Sequence, residues 1–201
     1  MLVQYSGVSI EEDSILGLFE KPKSLAVAKN NIDQVNRYNF GMMREWSVKR
    51  FGFSVPCTEA VERLKGLSPL VEVGAGSGYW AKILRDAGAD IIATDIGQQS
   101  GYSKLWVVDS VERMSADDAI AKWPERNVFV SWPSYDMPWA REMVEKIRPG
   151  KMLAYIGEAR GGCTADNGFF EVLSKQFEMV ETVRIPQWPG IHDELWILRR
   201  T

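Results

Sequence analysis

Apolar positions change their spacing along this chain, and from Leu67 onward short apolar runs alternate with helical spacings. Leu70–Val73 predicts a short buried strand and residues 74–78 a glycine-rich turn. Trp80, Ile83, Leu84 and Ala87, at i, i+3, i+4 and i+7, predict a helix that ends at Gly88. Ile91–Asp95 predicts the next strand. Residues 96–115 are poorly patterned, with a third strand expected near Trp106–Val108 or Val111–Met114. A short helix over 116–123, a strand over 127–132, a helical face of Trp139, Met143, Val144 and Ile147, and a strand over 152–157 follow. Phe169, Phe170, Val172, Leu173 and Phe177 mark a last helix. Two strands, 179–185 and 194–200, then stand with no helix between them. Strands joined by helices imply a parallel sheet with right-handed crossovers, and the closing pair implies an antiparallel hairpin.

The first third is mixed. Residues 9–21 suggest a short amphipathic helix and residues 24–50 one or two more, with 51–56 a loop that ends at Pro56. Thr58 is the expected N-cap of a helix over 59–66, with Glu59 in its first turn and Gly66 as its stop. The fold expected is a single α/β domain. Residues 67–201 form a Rossmann-like, mostly parallel seven-stranded sheet flanked by helices, and residues 1–66 form a helical cap or lid.

Composition narrows the chemistry. A chain of 201 residues with 45% hydrophobic content and a net charge of -3 has enough apolar side chains to fold. No apolar run reaches the length of a bilayer span, and the first residues lack a secretory pattern, so a cytoplasmic location is expected. One His and two distant Cys, Cys57 and Cys163, argue against a zinc site or a CxxC centre, so no metal is expected. Cys163 is expected to be a buried small residue rather than a nucleophile. The acidic balance gives no general drive toward nucleic acid, and the basic residues are scattered.

The segment Glu72-Val-Gly74-Ala-Gly76-Ser-Gly78 stands where an open parallel sheet binds its ligand. In the dinucleotide pattern GxGxxG the third glycine falls where this chain has Tyr79, and no GK[ST] follows to make a P-loop. Asp95 ends the second strand, where a carboxylate can accept both hydroxyl protons of a ribose. Glu72 can face a cationic ligand terminus. Together they suit an adenosyl ligand with a ribose, an ammonium and no phosphate.

E-x-G-x-G-x-G followed by a second-strand Asp resembles the class I S-adenosylmethionine-dependent methyltransferases. Within that family the chain is similar to a poorly characterised group marked by EVGAGxGYW, a WPPY-like segment and GE-x-x-GGCT. The resemblance implies S-adenosyl-L-methionine as cofactor, with Gly74, Gly76 and Gly78 against its methionine portion, beside Glu72 and Tyr79, and Asp95 on the ribose. The adenine-binding position at the third-strand end is Ser115 or Asp109. Ser131-Trp132-Pro133-Ser134-Tyr135 is similar to the [D/N]-P-P-[Y/F] motif of nitrogen methyltransferases. The stacking role transfers to Tyr135. The amine-polarising role does not transfer to Trp132, and the Ser131 hydroxyl or a main-chain carbonyl is the substitute, unless the segment is a rigid proline turn with two packed aromatics.

Glu158 and Arg160, in GE-x-x-GGCT, are candidates to orient a substrate; the alternative is a loop into a helix capped by Thr164 or Asp166. His192, beside Asp193 and Trp188 in the last hairpin, is a candidate general base for oxygen methylation or else a turn-stabilising side chain. The function expected is methyl transfer to a nitrogen or oxygen of a planar acceptor: a nucleobase, a small molecule or a protein side chain. The alternative is a non-catalytic sensor or assembly module that retains the nucleotide pocket.

Overall fold

The structure, a computed structural model, describes residues 44, 45, 47, 48, 51–97 and 110–201. The helix expected over 9–21, most of the helical segment expected over 24–50, the strand at Trp106–Val108, and Asp109 lie outside the described residues, as does most of the expected 1–66 cap; within 24–50, residues 44, 45, 47 and 48 are helical.

The elements are α1 (Thr58–Gly66), β1 (Leu70–Val73), α2 (Tyr79–Asp86), β2 (Ile91–Asp95), β3 (Glu112–Arg113), α3 (Ala116–Lys122), β4 (Asn127–Ser131), α4 (Trp139–Glu145), β5 (Met152–Gly157), α5 (Asn167–Gln176), β6 (Phe177–Arg184) and β7 (Glu194–Arg200). Among the described residues seven strands form one sheet, in the order β3-β2-β1-β4-β5-β7-β6. β3, β2, β1, β4 and β5 run parallel, while β7 pairs antiparallel with both β5 and β6. This is a Rossmann-like sheet closed by an antiparallel hairpin.

Strand side chains alternate between faces, so the central strands feed two apolar layers. Val71 and Val73 of β1, Val128 and Val130 of β4, and Leu153 and Tyr155 of β5 pack with Ala140, Met143 and Val144 of α4 and with the α5 face from Phe169 to Leu173. Leu70, Phe129, Ala154 and Ile156 face the other way, against Ala60, Val61 and Leu64 of α1 and Trp80, Ala81, Ile83 and Leu84 of α2. No helix among the described residues is long and apolar enough to cross a membrane.

Three expectations are settled in detail. Thr58 is the first residue of α1 rather than its cap, because the Cys57 carbonyl already accepts the first helical bond, from Val61 N at 3.0 Å. β3 falls within 111–114 but is only two residues long, both exposed. Asp166 rather than Thr164 caps α5: its Oδ1 accepts from Phe169 N at 2.7 Å.

Candidate functional site

β1 has β2 on one side and β4 on the other, and the chain crosses from the first to the second. The carboxyl ends of β1 and β4 therefore flank the topological switch point, where open α/β sheets take ligands. The loop after β1 has Gly74, Gly76 and Gly78 all at positive φ, 73°, 55° and 76°. At Gly74 a side chain is excluded for a second reason. A Cβ there would lie 3.0 Å from Cη2 of Trp139, whose ring roofs the turn from the start of α4.

Asp95 ties this loop to β2. One carboxylate oxygen accepts from Gly76 N at 3.0 Å and the other from Gly97 N at 2.7 Å. Ala75 N donates to Thr94 O, and the Thr94 hydroxyl donates to Glu72 O, both at 2.9 Å. Glu72 is buried, 2% exposed, on the α2 face of the sheet. Burial pushes its carboxyl up to about 8, against a backbone hydrogen bond from Ala81 and the charge of Arg85; Asp95 adds to the rise. Its Oε2 has no hydrogen-bond partner. Tyr79 opens α2 with its ring 5.1 Å from that of Phe51. Ser115 sits at the end of β3, but its hydroxyl accepts from Asp118 N and donates to Asp118 Oδ2, capping α3.

The second wall follows β4. Ser131 Oγ lies 2.8 Å from Ser54 Oγ, which also accepts from the Trp80 indole N–H at 2.8 Å. Trp132 leaves the strand at φ 52°, a left-handed conformation that costs a bulky residue about 1–2 kcal/mol. That turn lets its indole donate to Asp193 Oδ2 at 2.8 Å, while Phe53 stacks on it (5.2 Å, 15°) and the Arg44 guanidinium lies 5.7 Å above it. Val55 packs with Trp188 of the last hairpin. The 51–56 segment thus lies across the β4 edge. Tyr135 projects outward, 66% exposed.

Glu158 leaves β5 and joins two loops. Oε2 accepts from Cys163 N at 2.8 Å and Oε1 from His192 N at 2.9 Å. Burial raises its proton affinity, but the two backbone donors, the Cys163 thiol and His192 outweigh it, leaving the carboxyl below its ordinary value. The Thr164 hydroxyl accepts from Glu158 N at 3.0 Å and lies 2.6 Å from the Tyr155 hydroxyl. Cys163, expected to be buried, is exposed, because Glu158 captures its amide and turns the loop outward; its thiol hydrogen bond to Glu158 pushes the thiol up.

His192 is 81% exposed, with Nδ1 3.7 Å from Glu158 Oε1. The expected His192–Asp193 pairing is not what the hairpin forms: Asp193 turns inward to Trp132. The structure brings Ser131, Trp132, Glu158 and His192 to the carboxyl edge that also carries the glycine loop and Asp95. Asp193, Ser54 and Phe53 were not singled out as site residues by sequence reasoning. For Asp193 a signal existed, since an acid beside a strand's first residue faces opposite to its neighbour.

No family model and no curated protein matches the chain by sequence. Solved structures resemble it in fold. One was determined in work on the conversion of a disulfide bond into a thioacetal group during echinomycin biosynthesis; it is 15% identical, with a TM-score of 0.50 over 83% of this chain and 93% of that one. Magnesium protoporphyrin IX methyltransferase from Synechocystis PCC 6803, with bound S-adenosylmethionine, is 12% identical, with a TM-score of 0.48 over 98% and 100%. The 1,6-didemethyltoxoflavin-N1-methyltransferase of Burkholderia thailandensis is 14% identical, with a TM-score of 0.46 over 89% of each chain. Such neighbours act on varied substrates, and at these identities the likeness is one of fold.

Proposed function

We infer that the chain is an S-adenosyl-L-methionine-dependent methyltransferase acting on a nitrogen or oxygen of a planar acceptor. The observation that carries this reading is the joined pair at the switch point: a three-glycine turn whose Gly76 amide is held by Asp95, the acid that ends β2. The residues fit the cofactor's chemistry. Glu72 offers a buried carboxyl oxygen without a partner, and the outer side of Gly76 is open, with nothing within 4 Å of a Cβ built there. Glu72, Gly74, Gly76, Gly78 and Tyr79 would hold the amino-acid portion and Asp95 the ribose. The adenine falls to the end of β3 at Ser115, through its backbone since the hydroxyl caps α3.

The cofactor, when bound, supplies a methyl group already activated by a positive sulfur. The chain's own task is then alignment and exclusion of water. Tyr135, exposed at the rim, would stack on a planar acceptor, and Trp132 and Ser131 would shape the wall beneath it. Glu158 positions the two loops rather than reaching an acceptor, because it is buried, 6% exposed, with its two oxygens on the amides of both loops, whereas Asp95 is only half-buried. An amine acceptor needs only a hydrogen-bond acceptor, whereas a hydroxyl acceptor would call on His192 as base.

Calorimetric titration of wild type and Asp95→Ala with S-adenosylmethionine and with NADH tests the pocket, and preference for NADH would overturn the reading. A second reading, a non-catalytic cofactor-binding sensor or assembly module, is favoured by the Trp at position 132, where the related motif has Asp or Asn. Tritiated-methyl transfer into fractionated extract separates the two. Binding without transfer would support the sensor.

A further inference from the structure

Asp193 is 1% exposed, and its two oxygens are in unlike states. Oδ2 accepts the Trp132 indole N–H; Oδ1 has no hydrogen-bond partner. Glu158, the neighbouring acid at this edge, has both oxygens answered by backbone amides. A buried carboxylate oxygen without a donor is costly to the fold, and a ligand N–H at this edge would offset that cost.

Position in the fold carries the argument further. Asp193 immediately precedes β7, whose Glu194 pairs with Gly157 at the end of β5, so it stands on the same carboxyl edge as the glycine loop. Its link to Trp132 joins it to the first residue after β4, and Trp132 makes that link from a left-handed backbone, φ 52°. The charged groups facing it are Arg44 and Glu158; burial pushes its own carboxyl up to about 6, with Glu158 adding to the rise and the Trp132 bond, its own backbone N–H and Arg44 partly offsetting it. Arg44 also has a buried Nε without a partner. The 51–56 segment lies beside Trp132, held by the Phe53–Trp132 stack, the Ser54–Ser131 hydroxyl contact and Val55 against Trp188.

We propose that Asp193 Oδ1 is the hydrogen-bond acceptor for the N–H of an amino-bearing planar substrate, making Asp193 the specificity residue that selects amino over ether or carbonyl groups. The inference rests on the methyltransferase reading for the identity of that ligand as methyl acceptor, and names its class. Asp193 thereby supplies from the last hairpin the acceptor that position 132 lacks.

The test uses 2-aminoquinoline and 2-methoxyquinoline as probes, titrated by ligand-detected NMR at pH 8 into the full chain, with and without S-adenosylhomocysteine. Wild type should hold the amino probe about tenfold or more tighter than the methoxy probe, the range of a hydrogen bond to a buried charge. In Asp193→Asn the amide oxygen keeps the Trp132 bond and its NH2 faces the ligand, so the preference should invert. In Asp193→Ser it should collapse to near unity. S-adenosylhomocysteine affinity should change less than about twofold in either variant, which checks folding. Equal probe affinities in wild type, or the same preference in folded Asp193→Asn, would overturn the proposal. Absence of S-adenosylhomocysteine binding by wild type would instead refute the methyltransferase reading, and the probe preference without it would still decide the role of Asp193.

Discussion

Replacing Glu158 by Gln tests whether this carboxylate clamps the loop after β5 to the last hairpin. Wild type makes two charge-assisted bonds, to Cys163 N and His192 N. Gln keeps an oxygen for one amide, at neutral strength, and turns an NH2 toward the other. Weakening one bond and opposing a donor with a donor should cost about 2–4 kcal/mol. For a chain of this size that is a fall of roughly 5–15 °C in the unfolding midpoint at pH 7. The pH dependence gives a second check. Because the folded carboxyl lies below its ordinary 4.5, its contribution is complete above that value and lost as pH falls through the folded value. The gap between wild type and Glu158→Gln should therefore be widest at neutral pH and shrink below about pH 4.5. Thermal unfolding followed by circular dichroism from pH 7 down to pH 3.5 measures both. Equal midpoints at pH 7, or a gap that does not change with pH, would refute the clamp.

Glu72 should behave in the opposite sense. Its carboxyl is raised to about 8, so folded stability falls as pH climbs from 4.5 to 8, by at most about 1.4 kcal/mol per pH unit. Glu72→Gln should match wild type near pH 5 and exceed it toward pH 8, and denaturant unfolding in which wild type never falls behind would contradict the buried neutral acid. Gly74→Ala combines a left-handed backbone with a Cβ 3.0 Å from the Trp139 ring, and should cost about 1–3 kcal/mol in urea unfolding. A Trp139→Leu background should recover the steric part of that loss; failure of any recovery would place the cost in the backbone alone. Tyr135→Ala, at a 66% exposed residue, should leave stability within about 0.5 kcal/mol while lowering methyl transfer to a planar acceptor. Unchanged transfer would remove Tyr135 from the acceptor site.

The fold was legible where burial made it so. Leu70–Val73 and Ile91–Asp95 have their expected bounds because parallel strands covered on both faces need continuous apolar side chains, and even Glu72 within the first is buried. β3 left almost no trace. Its two residues, Glu112 and Arg113, are exposed at the sheet edge, and their pairing to Thr94 and Asp95 is a main-chain matter. The hairpin of β6 and β7 was legible from the missing helix between them, though β6 begins two residues earlier, at Phe177, because α5 passes into it without a loop.

The site was legible in its glycines and acids and illegible in its pairings. Gly74, Gly76 and Gly78 announce a turn by spacing alone, but that Gly76 lends its amide to Asp95 depends on β1 and β2 lying side by side. His192-Asp193 reads as a base and its partner when only sequence distance is considered. In an extended chain entering a strand, consecutive side chains point to opposite sides, so one must leave the other. His192 goes to solvent, with only its backbone N–H and a 3.7 Å approach tying it to Glu158, and Asp193 goes inward to Trp132. The same rule explains Trp132. As an alternation it continues β4, but a left-handed φ of 52° swings its indole toward the hairpin, and no spacing rule foretells a strained non-glycine residue. Whether the strain is maintained for the Asp193 bond is open to measurement. Trp132→Phe removes the N–H and keeps the Phe53 stack, and should cost about 1–3 kcal/mol by taking from the buried Asp193 carboxyl its side-chain donor. A loss no larger than a few tenths would mean that Asp193 draws its stability from elsewhere.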